Sequence, residues 1–403
     1  MEQRMSHLGK TGGLMLMVWI FLLGFGSVAF AAEPLKIGVT VPISGPSSDG
    51  GMRMLKSIQI ATEEINAAGG VLGKKIELEV WDDETKVDKG ITGVKKLLLK
   101  DKVWGLIGGY RSGVVLAQQD VAMEQKRIFM VTDAAANEIV DRVGRDYNKY
   151  KYTFRSVMNV DQVGQLMLPV LTDVVKAKNY FYVAETTVWS RDLAEVLRKA
   201  AEAKGIKRVG YVECDPAAQE FTSELAKIKE ANPDVVLSAI SGSSDVPLAK
   251  QYYDLKVPSP LCFHAAGIAT KVDLAEKGSY MSFMAFFWDI PITPKTKNFY
   301  EKFVKAHARP DGWQDVRSYD GMYILMEAIK RAGSLDVEKV VKALEQTDHV
   351  GAAGRYVFDE KHQAKWGPGF LEGLILQRVD GKDFILYPAK VATGKFTRAP
   401  WWK

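Results

Sequence analysis

The chain has 403 residues, of which 47% are hydrophobic and 26% are charged, an ordinary globular composition that argues against disorder. The formal net charge of +5 is small and no dense run of Lys and Arg occurs, so no nucleic-acid-binding face is expected. A chain of this length has room for two or three domains.

The N-terminal segment has the pattern of a cleaved secretory signal. Arg4 and Lys10 precede an apolar core at residues 14–25, and the small residues 29–31 form a cleavage site. The apolar core is too short for a comfortable membrane span, and no later stretch is long and apolar enough to form one. Residues 1–31 are therefore predicted to be removed, and the remaining chain is expected in the periplasm without a membrane anchor.

Strand-like and helix-like segments then alternate, which predicts an α/β fold with doubly wound parallel sheets. The first unit has strands at residues 35–41, 76–80 and 103–109. The pattern restarts near Tyr152, which predicts a second lobe with Ser190 capping one of its helices; its strands are expected at residues 180–183, 209–212, 235–240 and 260–264.

The C-terminal third is less regular. A long helix is predicted at residues 318–332, and β-structure follows at 370–379 and 384–387, joined by a turn at Asp380-Gly381. Cys214 and Cys262 either form a disulfide, which an oxidising compartment permits, or remain buried thiols. The second alternative is favoured because both cysteines lie in strand-like runs.

Residues 103–139 contain the strongest functional signal. An apolar strand at residues 103–109 is followed by a predicted loop at 110–113 and a predicted helix at 114–126. In open α/β sheets, ligands bind outside the carboxyl ends of strands, where unpaired helix N–H groups converge. Ser112 adds a hydroxyl there, and it is either a ligand contact or only the N-cap of the helix.

Several motifs occur in an order that resembles the periplasmic leucine/isoleucine/valine-binding proteins of ABC transporters. The chain has VPISGP at residues 41–46, IATEEINAAGGVLG at residues 60–73 and Asp82-Asp83 after the next strand. IGG at residues 107–109, followed by Ser112-Gly113, completes the pattern. The resemblance covers nearly the whole chain after the signal, and its N-terminal half is the most specific part.

The resemblance implies a type I periplasmic-binding fold in which three crossover strands join two doubly wound lobes. Lobe one would comprise residues 35–156 and 288–355, and lobe two residues 157–287 and 356–395. The resemblance further implies that a small carboxylate or amino acid is captured between the lobes, and that ABC permease subunits recognise the closed form. A monomer is expected, with no cofactor, metal ion or nucleic acid.

The family's ligand contacts map onto this chain only in part. Ser112 matches the serine that binds the ligand carboxylate, Ala134 the residue whose carbonyl accepts the ammonium, and Trp189 an aromatic covering residue. Ala136 replaces a threonine and leaves only a backbone N–H, and Ser241 replaces an aromatic residue. The carboxylate that pairs with the ammonium falls at Ala266.

The loss of that carboxylate leaves the ligand's chemistry open. A buried ammonium without its partner costs about 3–5 kcal/mol, so an amino acid fits only if Asp133, Asp49 or Asp245 substitutes. The ligand is accordingly predicted to be a small carboxylate, whether or not it is an amino acid. Arg111 is either an extra ligand contact or a solvated loop charge. His264 is either an extra ligand contact or a histidine at a strand end whose hydrogen bonds are satisfied within the protein.

Other functions have weaker support. The chain contains no G-x-S-x-G, H-E-x-x-H, C-x-x-C or Walker A motif, so an enzyme is not expected. The acidic run 82–84 fits a solvated turn better than a metal site. An exported sensor that docks on a chemoreceptor or kinase would use the same closing lobes and stays open as an alternative.

Overall fold

A computed structural model describes residues 33–241, 243–265, 276–286 and 292–402. The predicted signal at residues 1–31, the expected departure at Ala266 and the lobe boundary at residues 287–288 lie outside this part of the chain. None of the helices within it is long and apolar enough to cross a membrane.

The first sheet of the described chain has five parallel strands in the order β2-β1-β3-β4-β5. Its register places Val39 opposite both Val80 and Ile107. Most residues of β1, β3, β4 and β5 are buried, as expected for parallel strands with helices on both faces. The strands are β1 Leu35–Val41, β2 Ile76–Asp82, β3 Gly105–Gly108, β4 Phe129–Val131 and β5 Thr153–Arg155.

The helices of this lobe come from two distant parts of the chain. The first group is α1 Ser48–Ala67, α2 Val87–Lys95, α3 Ser112–Glu124, α4 Glu138–Arg145 and α5 Tyr147–Tyr150. Three later helices, α10 Thr296–Ala306, α11 Gln314–Ala332 and α12 Val337–Glu345, return to it. Glu64 of α1 joins the two groups, because it accepts hydrogen bonds from Lys302 and from Tyr319, each at 2.6 Å.

The second sheet is mixed, with the order β14-β13-β10-β9-β8-β6-β7. Its first five strands in the sequence pair in parallel, whereas β13 pairs antiparallel with both β10 and β14. The strands are β6 Asn179–Glu185, β7 Lys207–Cys214, β8 Val236–Ala239, β9 Leu261–Phe263, β10 Ser282–Ala285, β13 Leu374–Val379 and β14 Lys382–Tyr387. A short hairpin, β11 His349–Val350 and β12 Arg355–Tyr356, precedes β13.

The helices of the second lobe are α6 Val160–Pro169, α7 Val188–Glu202, α8 Thr222–Ala231 and α9 Asp245–Asp254. The prediction that Ser190 caps α7 is wrong, because the helix begins two residues earlier. Ser190 Oγ instead accepts from the Glu185 N–H at 3.1 Å and donates to the Ala239 carbonyl at 2.9 Å. The serine therefore fixes the start of α7 against the ends of β6 and β8.

The predicted α/β class with two mostly parallel sheets is confirmed. The predicted Asp380-Gly381 turn joins β13 to β14, with φ values of 49° and 74°. Cys214 and Cys262 are buried free thiols, the favoured alternative. The strands β1–β5 form one sheet, and β6–β10 with β13 and β14 form the other. The residue boundaries of the two lobes stay a prediction.

Candidate ligand-binding cleft

The carboxyl end of β3 leads into a tight turn and then into α3. Gly108 has a φ of 122°, and a Cβ there would lie 2.4 Å from the Thr40 carbonyl oxygen, so the turn requires glycine. The helix begins at Ser112, two residues earlier than predicted. Ser112 is therefore its first residue and not its N-cap. Ser112 Oγ accepts a hydrogen bond from the Ala136 N–H at 3.1 Å. The turn is thereby joined to the loop after β4.

Contacts of Tyr110 and Arg111 bridge the two sheets. The Tyr110 hydroxyl donates to the Ser241 carbonyl at 2.9 Å. Arg111 donates from Nε to Ser47 Oγ and from Nη1 to Ser241 Oγ, both at 3.0 Å, and it forms an ion pair with Glu185. Arg111 is only 6% exposed, so it is not a solvated loop charge.

Glu185 lies at the carboxyl end of β6 and is fully buried. Its oxygens accept from Trp189 Nε1 at 2.8 Å, Thr187 Oγ1 at 3.1 Å, and the N–H and hydroxyl of Ser241 at 3.1 and 2.8 Å. Burial alone would raise the pKa of Glu185, but Arg111 and these hydrogen bonds outweigh it and hold the pKa below its usual value. Glu185 therefore stays ionised and organises groups from both lobes.

Asp133 follows β4 and pairs with Arg317 of α11 at 2.8 Å. The guanidinium of Arg317 also lies over the rings of Phe286 and Trp313, 4.6 and 4.7 Å from their centroids. Burial raises the pKa of Asp133 to about 7 despite the attraction of Arg317.

Ala134 and Ala136 are buried and contact a third arginine. The Ala134 N–H donates to the Gly109 carbonyl at 3.1 Å. The carbonyls of Ala134 and Ala136 accept from Arg155 Nη1 at 3.2 and 2.6 Å. The Ala134 carbonyl, predicted to accept a ligand ammonium, therefore has a cationic partner from within the chain.

Three aromatic rings form a continuous wall of the cleft. The His264 ring lies 4.7 Å from that of Trp189 and 5.8 Å from that of Trp313, between centroids. Burial lowers the pKa of His264 to about 4, against the attraction of Glu185, so the ring is neutral at pH 7. Its Nδ1 has no hydrogen-bond partner among the residues described, which argues against a satisfied histidine.

Two adjoining cavities occupy the cleft and share Tyr110, Ser241 and His264. The smaller cavity has an open volume of about 360 Å³ and is lined by Tyr110, Arg111, Ser112, Asp133, Ala135, Val163, Trp189, Ser241, His264 and Trp313. The larger cavity, about 630 Å³, extends past Asp49 and Asp245 toward Asp311.

The smaller cavity brings together six of the eight predicted ligand contacts: Arg111, Ser112, Asp133, Trp189, Ser241 and His264. Ala134 and Ala136 lie behind it, and Ala135 forms the lining between them. Sequence reasoning missed Glu185 and Trp313. A carboxylate at the end of the apolar run 180–183 was a usable signal for Glu185, whereas Trp313 was hidden by placing the start of α11 four residues too late.

Because Trp189 lines the smaller cavity, ligand binding is expected to change its fluorescence. Replacing Trp189 by Phe should reduce the ligand-induced change, measured in a fluorescence titration, although other tryptophans also contribute to the signal. Trp104→Phe is the matched control, since Trp104 lies outside both cavities and donates to the Leu335 carbonyl at 2.8 Å. An undiminished change in the Trp189 variant would show that this ring does not contact the ligand.

Comparison with known proteins identifies the family. The family model "Periplasmic binding protein" matches residues 34–379. The chain is 27% identical over 366 residues to the Leu/Ile/Val-binding protein homolog 1 of Brucella melitensis, covering 90% of this chain and 95% of the relative. It is 24% identical to the leucine-, isoleucine-, valine-, threonine- and alanine-binding protein of Pseudomonas aeruginosa, covering 85% and 91% of the two chains.

Solved structures show the same fold. The branched-chain amino acid binding protein LivJ of Streptococcus pneumoniae, in complex with isoleucine, has a TM-score of 0.77 at 19% identity, covering 88% of this chain and all of the other. A solute-binding protein of R. palustris in complex with benzoate has a TM-score of 0.78 at 20% identity, covering 92% and 99%. The chain belongs to the periplasmic binding protein family.

Proposed function

We propose that the protein is the solute-binding component of an ABC importer and captures a small carboxylate between its two lobes. Family membership, relatives named as amino-acid-binding proteins and the solved complexes with isoleucine and benzoate support this function. The proposal includes export to the periplasm by way of residues 1–31, and delivery of the solute to permease subunits by a monomer without enzymatic activity. The alternative function, a sensor that docks on a chemoreceptor or kinase, would use the same closing lobes.

The hydrogen-bond donors around the smaller cavity are the observation that carries this proposal. Arg111 lines the cavity, and its Nη2 is buried without a partner in the described part of the chain. Ser112 lines it too, and a hydroxyl that accepts one hydrogen bond still has a proton to donate. The N–H groups at the start of α3 add positive potential. Together these groups fit an anionic oxygen pair.

Replacing Ser112 by Ala is expected to weaken carboxylate binding. The variant loses a hydrogen bond to a charged group worth about 1.5–3 kcal/mol, which is roughly tenfold or more in Kd. Isothermal titration calorimetry on purified protein measures the change. Ser44→Ala is the control, because Ser44 binds Asp82 at 2.6 Å outside both cavities. Equal affinities in the wild type and the Ser112 variant would remove Ser112 from the site.

A thermal-shift screen tests the function itself. The panel comprises aliphatic and aromatic acids, their amides, and amino acids. A bound solute raises the melting temperature by mass action, and the proposal expects this for carboxylates but not for the matching amides. If no carboxylate or amino acid stabilises the protein at millimolar concentration, the proposed function is wrong.

A further inference from the structure

We infer that the solute is an aromatic monocarboxylate that lacks an ammonium group. The inference rests on the proposed function and narrows it to one chemical class of ligand. It follows from which polar groups of the cavity are already paired, which are not, and which rings form the cavity wall.

Around the smaller cavity, the described acceptors that an ammonium could use are already bound to cations of the chain. Both oxygens of Glu185 accept hydrogen bonds, and its charge is balanced by Arg111. Asp133 is paired with Arg317 at 2.8 Å. The Ala134 carbonyl accepts from Arg155 at 3.2 Å. An ammonium entering the cavity would compete with a buried guanidinium at each of these positions, which is unfavourable because neither cation can be rehydrated there.

Some buried hydrogen-bond donors in and behind the cavity have no acceptor among the described residues. Arg111 has an unpaired Nη2 although the residue is 6% exposed, and Ser112 contributes its hydroxyl. Arg317, directly behind Asp133 and Trp313, has an Nη1 without a partner among the described residues. Buried donors of this kind normally have acceptors. A carboxylate supplies two acceptor oxygens and the negative charge, whereas an amide or alcohol supplies neither the pair nor the charge.

The aromatic surface of the cavity favours a flat ring. Trp189, His264 and Trp313 form one wall, and Ala135 and Val163 present small apolar surfaces. Offset or edge contacts between aromatic rings contribute beyond the area they bury.

Calorimetric titrations with matched pairs of compounds test the inference. 3-Phenylpropanoate is compared with phenylalanine, and 4-methylpentanoate with leucine, since each pair differs only in the ammonium group. Benzoate is compared with cyclohexanecarboxylate and with benzamide. We expect each acid to bind at least tenfold tighter than its amino acid, and benzoate to bind tighter than both of its comparison compounds.

The outcomes separate this inference from the proposed function. Tighter binding of leucine or phenylalanine overturns the claim about the ammonium, and equal binding of cyclohexanecarboxylate and benzoate overturns the claim about the ring. In either case solute capture stands. Absence of binding by every acid and amino acid instead contradicts the proposed function.

Asp133→Asn supplies an independent test, because Asp133 is the carboxyl that lines the smaller cavity and could bind an ammonium. The charged groups that act on it are Arg317, Arg111 and Asp311. The ionised Asp133 repels an anion, so wild-type affinity for benzoate should fall as pH rises from 6 to 8. The asparagine variant should bind benzoate more tightly than wild type at pH 8 and lose this pH dependence. Weaker benzoate binding by the variant at pH 8 contradicts the inference.

Discussion

Arg111→Ala is expected to weaken carboxylate binding by two orders of magnitude or more. Arg111 lines the smaller cavity and also forms the buried ion pair with Glu185 across the two sheets. Removing one partner of such a pair costs about 3–5 kcal/mol, because the other charge is left buried. Each 1.4 kcal/mol corresponds to tenfold in Kd. Because Arg111 and Glu185 belong to different sheets, we expect the cost to fall mainly on the closed form.

Calorimetry with the best acid from the screen measures the loss, and small-angle X-ray scattering measures whether the lobes have separated. Arg191→Ala is the matched control: Arg191 pairs with Glu213 at 2.7 Å, but its side chain is 53% exposed, and exposed pairs contribute about 0–1 kcal/mol. Arg111→Lys keeps a charge without the fork of donors that reaches Ser47, Ser241 and Glu185. Unchanged affinity in Arg111→Ala would eliminate both of its assigned roles.

Arg155→Met is expected to lower the free energy of unfolding by about 3 kcal/mol. Arg155 is fully buried and donates to Gln363 Oε1 at 2.6 Å as well as to the Ala134 and Ala136 carbonyls. Hydrogen bonds to a charged group contribute about 1.5–3 kcal/mol each. Part of that total is offset because burial of the guanidinium, which lowers its pKa to about 9, is itself costly.

Urea denaturation followed by circular dichroism measures this change. Arg145→Ala is the control, since Arg145 is a mostly exposed partner of Glu138 and its loss should change stability by less than about 0.5 kcal/mol. If the Arg155 variant unfolds at the wild-type urea concentration, the three hydrogen bonds contribute no net stability. The variant also leaves the Ala134 carbonyl without its cation, so its affinity for leucine can be compared with that of the wild type.

The sequence predicted the elements that local patterns determine. Most strands of both sheets, and cleft residues next to strand ends such as Ser112, follow from apolar runs that end in polar or small residues. The long helix α11 was found, but its first turn was missed because the polar residues Gln314, Asp315 and Arg317 interrupt the apolar periodicity. Those residues are buried because their partners lie elsewhere in the chain.

The pairings within the cleft could not be predicted in the same way. Arg111 and Glu185 are 74 residues apart, and Asp133 and Arg317 are 184 apart. The first pair depends on how the two sheets meet and the second on how α11 returns to the first sheet, and no local pattern encodes either arrangement. The sequence therefore does not distinguish a solvated charge from a ligand contact at Arg111, whereas its contacts with Ser47, Ser241 and Glu185 show that it is internal.

The two internal thiols have a practical consequence. Burial raises the pKa of Cys214 to about 12 and that of Cys262 well above its usual value, so almost no thiolate is present at neutral pH. Maleimide reagents and spin labels should therefore pass over both native cysteines. One new cysteine on each lobe, placed in the unaltered protein, would then give a clean pair of probes for measuring how far apart the lobes move.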